Sequence, residues 1–170
     1  MRKAIFVTGT ICSGKSTLSE KLGSELNLDV ISETNSNGFF GIVDKIKNDA
    51  FTSTPIIEHA ELHLLLNCQR DIEISRYFDK MIIILLNVSD DLLTNNLNER
   101  KARGATGDYL KIDIFAMKKE IENHFNNLKG NHNKYVANIN TFDDYDIEYR
   151  KIIAFLTNVE NYNLSISSIS

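Results

Sequence analysis

The chain has 170 residues, of which 42% are apolar and 25% charged, with a net charge of −4 and a single proline. A chain of that length buries about 70% of its extended-state surface, and the mix is that of a globular protein, not a disordered or collagen-like one. No apolar run approaches the ~18 residues of a membrane span, the mild acidity counts against a generic nucleic-acid coat, and the two cysteines, Cys12 and Cys68, make neither a disulfide framework nor a zinc site.

Met1-Arg2-Lys3 followed by Ala4 to Val7 imitates the start of a signal peptide, but the apolar stretch is too short. A reducing, cytoplasmic setting is the expectation. Lys3 to Thr8 reads as a strand buried on both faces. Gly9 to Gly14 is a loop. Lys15 to Leu26 follows with helical spacing, Leu18, Leu22 and Leu26 lying on one face. Leu28 to Ser32 is a second strand, Asn35 to Gly38 a turn, and Phe39 to Ala50 a helix with Phe40, Val43, Ile46 and Lys47 marking its period. Residues 54–59 admit a helix start capped by Ser53 or Thr54, with Pro55 in the first turn, or a short strand opening on proline; the strand is preferred. Ala60 to Tyr77 is helical in pattern. Met81 to Val88 is the clearest strand. Ser89-Asp90-Asp91 caps a helix running to about Arg100, and Arg103 to Gly107 is a loop. Tyr109 to Leu128 is a long helix, Tyr135 to Ile139 a last strand, Asp144 to Val159 a last helix, and residues 160–170 a tail expected to fray. Residues 1–159 thus read as one α/β domain. Strands alternate with helices, which predicts three layers: a five-stranded parallel sheet covered on both faces.

Gly9-Thr10-Ile11-Cys12-Ser13-Gly14-Lys15-Ser16 fits G-x-x-x-x-G-K-[ST] at every fixed position, between a predicted strand and a predicted helix. Gly9 and Gly14 let the backbone curl round a phosphate. The N–H groups of Ile11, Cys12, Ser13, Gly14, Lys15 and Ser16 point into the loop, at a helix N-terminus that favours anions. Lys15 is placed to neutralise a transferred phosphoryl group, Ser16 to ligate Mg²⁺ and Thr17 to hydrogen-bond a neighbouring phosphate. Cys12 is read as a small loop-filling residue in preference to a reactive thiol. The motif implies a nucleoside triphosphate. Asn133-Lys134-Tyr135-Val136 lacks the Asp of the guanine-specific N-K-x-D signature.

Arg100-Lys101-Ala102-Arg103-Gly104 ends the helix after the strongest strand. With the phosphate loop, this order of elements resembles the P-loop kinases of nucleosides and nucleotides. The lid stretch Arg100-x-x-Arg103-Gly104, then Asp108-Tyr109-Leu110, looks most like deoxynucleoside kinases. The run from Ile82 to Arg100 is also similar to dephospho-coenzyme A kinase and to small adenylate-kinase relatives. The resemblance covers most of the chain, but only the phosphate loop is a specific motif, and the stretch from Glu33 to Met81 is short for a deoxynucleoside kinase. It implies Mg²⁺ and ATP as cofactors, a lid near residues 100–108 carrying Arg100 and Arg103, an acid at Glu33 that accepts the acceptor's proton or anchors the acceptor, and an adenine loop near Asn140 and Thr141. Planar guanidinium groups suit such a lid, because they bind phosphoryl oxygens bidentately.

Glu33 directly follows the second strand, at the sheet edge where parallel α/β proteins place ligands. Glu58 would end the third strand in a Walker-B-like place, orienting the water shell of Mg²⁺ or facing the substrate. His59 and His63 read as helix residues beside the cleft. Of the six arginines (Arg2, Arg70, Arg76, Arg100, Arg103, Arg150) none lies between Arg2 and Arg70, so little is available to clamp an acceptor's own phosphate, although Arg70 could reach in and Lys45 and Lys47 are nearby. An acceptor uncharged at its reacting end, such as a nucleoside hydroxyl, gains weight. Phe39, Phe40 and Phe51 are candidate stacking surfaces, with core packing the stronger reading. The expected function is transfer of the γ-phosphoryl group of Mg·ATP to a small nucleoside- or nucleotide-like acceptor. The alternatives are dephospho-coenzyme A, a polynucleotide 5′-hydroxyl (disfavoured by the net acidity), and a P-loop ATPase module serving a partner protein. No membrane partner is expected, and a homodimer is left open.

Overall fold

The computed structural model describes residues 2–60, 77–107, 111–128 and 132–160. The expected helix from Ala60 to Tyr77, with His63, Cys68 and Arg70, lies almost wholly outside them, as do residues 108–110 and the tail beyond Glu160.

Five strands form one sheet: β1 (Lys3–Gly9), β2 (Val30–Ser32), β3 (Ile56–Glu58), β4 (Lys80–Val88) and β5 (Asn133–Ile139). Their order is β2-β3-β1-β4-β5, and every pair is parallel. The three-layer α/β expectation holds. Residues 54–59 resolve to the strand: Ile56 and Ile57 are fully buried and pair with Ile5 and Phe6 on one side, Val30 and Ile31 on the other. A helix there would have left those strand edges unpaired inside the protein.

The described helices are α1 (Lys15–Leu26), α2 (Glu33–Ser36), α3 (Gly38–Lys47), α4 (Asp90–Ala102), α5 (Ile114–Asn127) and α6 (Asp144–Glu160). Successive strand residues face opposite sides, so β1 sends Ala4 and Phe6 to one core and Ile5 and Val7 to the other. The first core is closed by Ile42, Val43 and Ile46 of α3 and by Ile121 and Phe125 of α5. The second is closed by Leu18 and Leu22 of α1, Leu93 of α4, and Ile152 and Leu156 of α6. Each fully buried Ile or Leu contributes about 1.5–3 kcal/mol relative to exposure.

Several boundaries differ from the sequence reading, each for a local reason. β2 starts at Val30, because Asn27 caps α1 in a left-handed conformation (φ 54°) and Leu28 still donates to the Gly23 carbonyl. Asp29 is occupied instead in accepting from the Thr52 and Ser53 amides, which holds its carboxyl below the usual range. The predicted turn at Asn35 to Gly38 is mostly helix: Ser32 and Asn35 form a reciprocal cap that winds Glu33–Ser36, and the left-handed Asn37 (φ 55°) and Gly38 (φ 81°) make the corner into α3. Gly41 is required at that corner, since a Cβ there would sit 1.3 Å from the Ser36 carbonyl oxygen. α3 buries Ile42, Val43 and Ile46, whereas Phe40 is 66% exposed. α5 begins at Ile114, not Tyr109, because Asp113 accepts from the Phe115 and Ala116 amides and caps it. Among the described residues no helix is long and apolar enough to cross a membrane.

Candidate active site

Parallel pairing brings the C-terminal ends of all five strands to one edge, and the chemistry-bearing residues gather there. The loop from Gly9 to Ser16 leaves central β1 and enters α1 directly. Gly14 takes φ +91°, and a Cβ on it would lie 2.9 Å from the Tyr145 ring, so no larger residue fits. Cys12 also adopts a left-handed backbone, φ 65°.

The loop is braced from three helices. From α4, Asn96 Nδ2 donates to the Cys12 carbonyl at 3.0 Å, and Arg100 Nη1 reaches Cys12 Sγ at 3.8 Å. From α6, the Tyr145 hydroxyl donates to the Ser13 carbonyl at 2.8 Å, and burial raises that phenol above its ordinary value. At the start of α5, the Ile114 carbonyl accepts from Thr10 Oγ1 at 3.3 Å. Contacts from three helices thus hold the loop in this shape.

Lys15 Nζ donates to the Thr10 carbonyl at 2.8 Å. Burial pushes its ammonium down to about 8; Glu58 and Glu33 pull the other way, and Arg100 adds to the depression. Those four side chains thus share one electrostatic neighbourhood. Ser16 Oγ lies 3.0 Å from Glu58 Oε1 and donates to it. A hard hydroxyl and a carboxylate beside the phosphate loop are the donor set Mg²⁺ takes when it keeps most of its waters and shares phosphate oxygens. Thr17 is exposed at the same end of α1.

Glu33 opens α2, immediately after β2, with its side chain 58% exposed. Its Oε1 lies 2.8 Å from Nε2 of His59, which is 2% exposed. The strand register explains the meeting: Ser32 and Glu58 are paired across β2 and β3, and Glu33 and His59 are the next residue on each. His59 is not on a helix, as expected, but directly past β3, its amide donating to the Val7 carbonyl at 3.1 Å. Phe39 sets its ring edge-on to His59 at 5.4 Å and to Phe40 at 5.6 Å.

Other candidates sit differently from one another. Arg103 caps α4, is 80% exposed, and lies 3.6 Å from Glu99, whereas Arg100 reaches the loop at Cys12. Asn140 and Thr141 follow β5 at the same sheet edge, their amides donating to Asp144 Oδ2 at 2.7 and 2.8 Å. Beside them Phe142 is 78% exposed and packs its ring against Tyr145. Phe51 belongs to the opposite end of the sheet, stacked on Phe78 and covered by Arg2, so it is core and not a stacking surface for a ligand. Arg70 lies outside the described residues. Sequence reading missed Asn96, Tyr145 and the pairing of His59. The first two carry no motif, and the third was signalled only by the position of His59 next to Glu58.

The fold is shared with several solved small kinases. A gluconokinase from Sinorhizobium meliloti superposes with a TM-score of 0.61 at 12% identity, covering 95% of this chain and 96% of that one. The YorR protein from Bacillus subtilis, in complex with phosphorylated GDP, gives 0.62 at 19% identity over 93% and 98%. Shikimate kinase from Acinetobacter baumannii, in complex with shikimate, gives 0.57 at 11% identity over 93% and 94%. No family model matches the sequence, and a search of curated proteins found no match.

Proposed function

We propose that this protein is an ATP-dependent phosphotransferase that moves the γ-phosphoryl group of Mg·ATP to the hydroxyl of a small nucleoside- or nucleotide-like acceptor. The observation that carries the reading is one sheet edge holding a braced phosphate loop with Lys15, a Ser16–Glu58 pair at 3.0 Å, and a solvent-open carboxylate, Glu33, on the next strand but one. The loop amides and Lys15 bind the β- and γ-phosphates. Ser16 and Glu58 would hold Mg²⁺, directly or through its waters; the ion's contribution is to neutralise charge on the phosphate oxygens. Arg100, already at the loop, stabilises the charge spread over the transferring group, and Arg103 joins it once residues 103–107 fold over the nucleotide. The adenine lies toward Asn140 and Thr141, next to the exposed Phe142. Glu33 takes the proton of the acceptor hydroxyl, and Phe39 borders the acceptor.

The chemistry of the acceptor side favours a group that is uncharged at its reacting end. Among the described residues Arg100 and Arg103 belong to α4 and its C-terminal cap, on the nucleotide side, and Lys45 Nζ is engaged with the Asn35 carbonyl at 2.6 Å. A phosphate placed there would meet a carboxylate and an aromatic edge. One fold neighbour, a shikimate kinase, was solved with shikimate, a small hydroxyl-bearing molecule, and another with phosphorylated GDP. The site is assigned to a soluble-phase substrate, with nucleic acid disfavoured and the cytoplasm the natural compartment for ATP.

The test is ADP release from Mg·ATP with nucleosides, nucleoside monophosphates, dephospho-coenzyme A, a 5′-hydroxyl oligonucleotide, gluconate and shikimate. Stimulation by nucleosides is the expected result. Stimulation by another class corrects the acceptor. Slow hydrolysis unaffected by all of them, together with stimulation by a protein fraction, favours the ATPase-module reading and overturns this one.

A further inference from the structure

We propose that the Phe142 ring stacks on the base of the phosphoryl donor and that the site leaves the hydrogen-bonding edge of that base unread, so that ATP and GTP serve as donors interchangeably. The inference rests on the kinase reading and deepens it, by naming the donor class that the phosphate loop alone leaves open.

The strand order gives the donor its direction. Glu33 and Glu58 stand at the ends of β2 and β3, on one side of β1, and the loop after β1 holds the phosphates. A nucleotide whose terminal phosphate faces Glu33 runs its base toward the other side, past β4 to the segment after β5. Phe142 stands in that segment, 78% exposed, the most exposed large apolar side chain among the described residues. One intervening ring ties it to the phosphate loop. The Tyr145 hydroxyl donates to the Ser13 carbonyl at 2.8 Å, and the Tyr145 ring lies 2.9 Å from the point a Gly14 Cβ would take. The Phe142 and Tyr145 centroids are 6.1 Å apart, with their planes inclined at 61°. A flat apolar face held one ring away from a phosphate loop suits the flat face of a base.

The polar groups of the same segment are turned inward. The Asn140 and Thr141 amides both donate to Asp144 Oδ2, at 2.7 and 2.8 Å, and hold that carboxyl below its ordinary range. The Ile139 and Asn140 carbonyls accept from the Ser89 amide and hydroxyl, at 2.8 and 3.2 Å. The Thr141 and Phe142 carbonyls accept from the Asp144 and Tyr145 amides, at 3.3 and 3.4 Å. Adenine carries an amino group where guanine carries a carbonyl, so telling them apart takes a donor or an acceptor fixed in one sense. Two amides that could act as fixed donors are spent on Asp144, and four carbonyls already have a donor each. The Asn140 side chain is exposed, but a carboxamide presents a donor or an acceptor by turning over, and so suits either base. Stacking is what remains. Every base supports it through its π-face, and it is worth about 5–150-fold in affinity per base. A site built around an edge hydrogen bond rejects the wrong partner by about 10⁴-fold or more; this one lacks the means.

The experiment is calorimetric binding of ATP, GTP and inorganic tripolyphosphate, each with Mg²⁺, which needs no acceptor. ATP and GTP bind the wild type within about tenfold of each other. Phe142→Ala weakens both by about 5–150-fold, Phe142→Tyr holds both within about threefold, and tripolyphosphate binds all three proteins within about twofold. A preference beyond about tenfold for either nucleotide overturns the unread edge. A loss below about fivefold in F142A, or a loss in F142Y as large as in F142A, overturns the stacking. An F142A that loses tripolyphosphate as strongly as ATP overturns it too, because the change then acts on the phosphate loop through Tyr145. Failure of the wild type to bind any of the three ligands refutes the phosphate-loop reading and the proposal with it. Binding of all three with a failed Phe142 result removes Phe142 and leaves that reading standing.

Discussion

Lys15 is held in place against its own solvation, and removing its charge should stabilise the protein while ending its chemistry. Burial brings the ammonium from 10.5 to about 8, which corresponds to about 3 kcal/mol against the charged form. Lys15→Met keeps most of the aliphatic volume. It gives up the donation to the Thr10 carbonyl, a charged-donor bond of about 1.5 kcal/mol. That carbonyl still accepts from the Ser13 amide at 3.2 Å, so no buried acceptor is orphaned. The net expectation near pH 7 is a gain of about 1–2 kcal/mol, or about 3–6 °C in Tm for a chain of this size. The pH dependence is the sharper test. Between about 8 and 10.5 the unfolded lysine holds a proton that the folded one has lost, so wild-type stability rises with pH across that window. The advantage of K15M is therefore full below pH 8 and disappears as the pH climbs toward 10.5. Thermal unfolding of both nucleotide-free proteins near pH 7 and near pH 9.5 measures it. A K15M less stable than wild type at pH 7, or a Tm difference that does not change with pH, refutes the reasoning. The same variant releases no ADP with any acceptor.

Arg103→Ala should lower kcat by about 10²–10³-fold while the Kd for ATP moves less than threefold, the pattern of a contact made only in the transition state; an unchanged kcat leaves Arg100 acting alone. Glu58→Gln should raise the Mg²⁺ concentration for half-maximal turnover by about 10–100-fold, and an unaltered Mg²⁺ curve would remove Glu58 from the metal's surroundings. Tyr145→Phe loses the bond to the Ser13 carbonyl, about 1 kcal/mol, and should lower Tm by about 2–4 °C with weaker ATP binding; a Tm and an affinity equal to wild type would mean the loop needs no such brace.

Where the sequence was legible, a local rule governed the outcome. The unbroken apolar run Ala4 to Val7 predicts a strand buried on both faces and Met81 to Val88 the clearest strand, and both strands are buried on both faces. The phosphate loop is readable because its glycines, lysine and serine act within a few residues of one another. The helix from Ile114 was misplaced at its start because Asp113 competes with the earlier Tyr109 as a boundary, and the winner depends on which side chain reaches the free amides. The corner at Asn35 to Gly38 looked like a turn by composition. There Ser32 and Asn35 cap each other and wind one helical turn inside a segment rich in loop formers. His59 was illegible for another reason: its partner is contributed by a different strand, and only the β2–β3 register brings the two together.

In the proposed site, the nucleotide half and the acceptor half are anchored by different means, and this bears on how the enzyme can vary. The nucleotide side is held by α4, α5 and α6 through Asn96, Thr10 to Ile114, and Tyr145, contacts that span 84 to 132 residues of chain. Displacing any one helix disturbs the loop. The acceptor side is held by short-range devices: a four-residue helix, its reciprocal Ser32–Asn35 cap, the Gly41 corner, and one strand pair at the sheet edge. Substitutions at Phe39, Phe40 or Asn35 can reshape that side while β1 and its loop stay fixed by the sheet centre. On the proposed reading, a scaffold divided in this way keeps one phosphate chemistry while admitting different hydroxyl acceptors, so that the acceptor's identity is to be read from the β2–α3 segment and that of the reaction from the loop after β1.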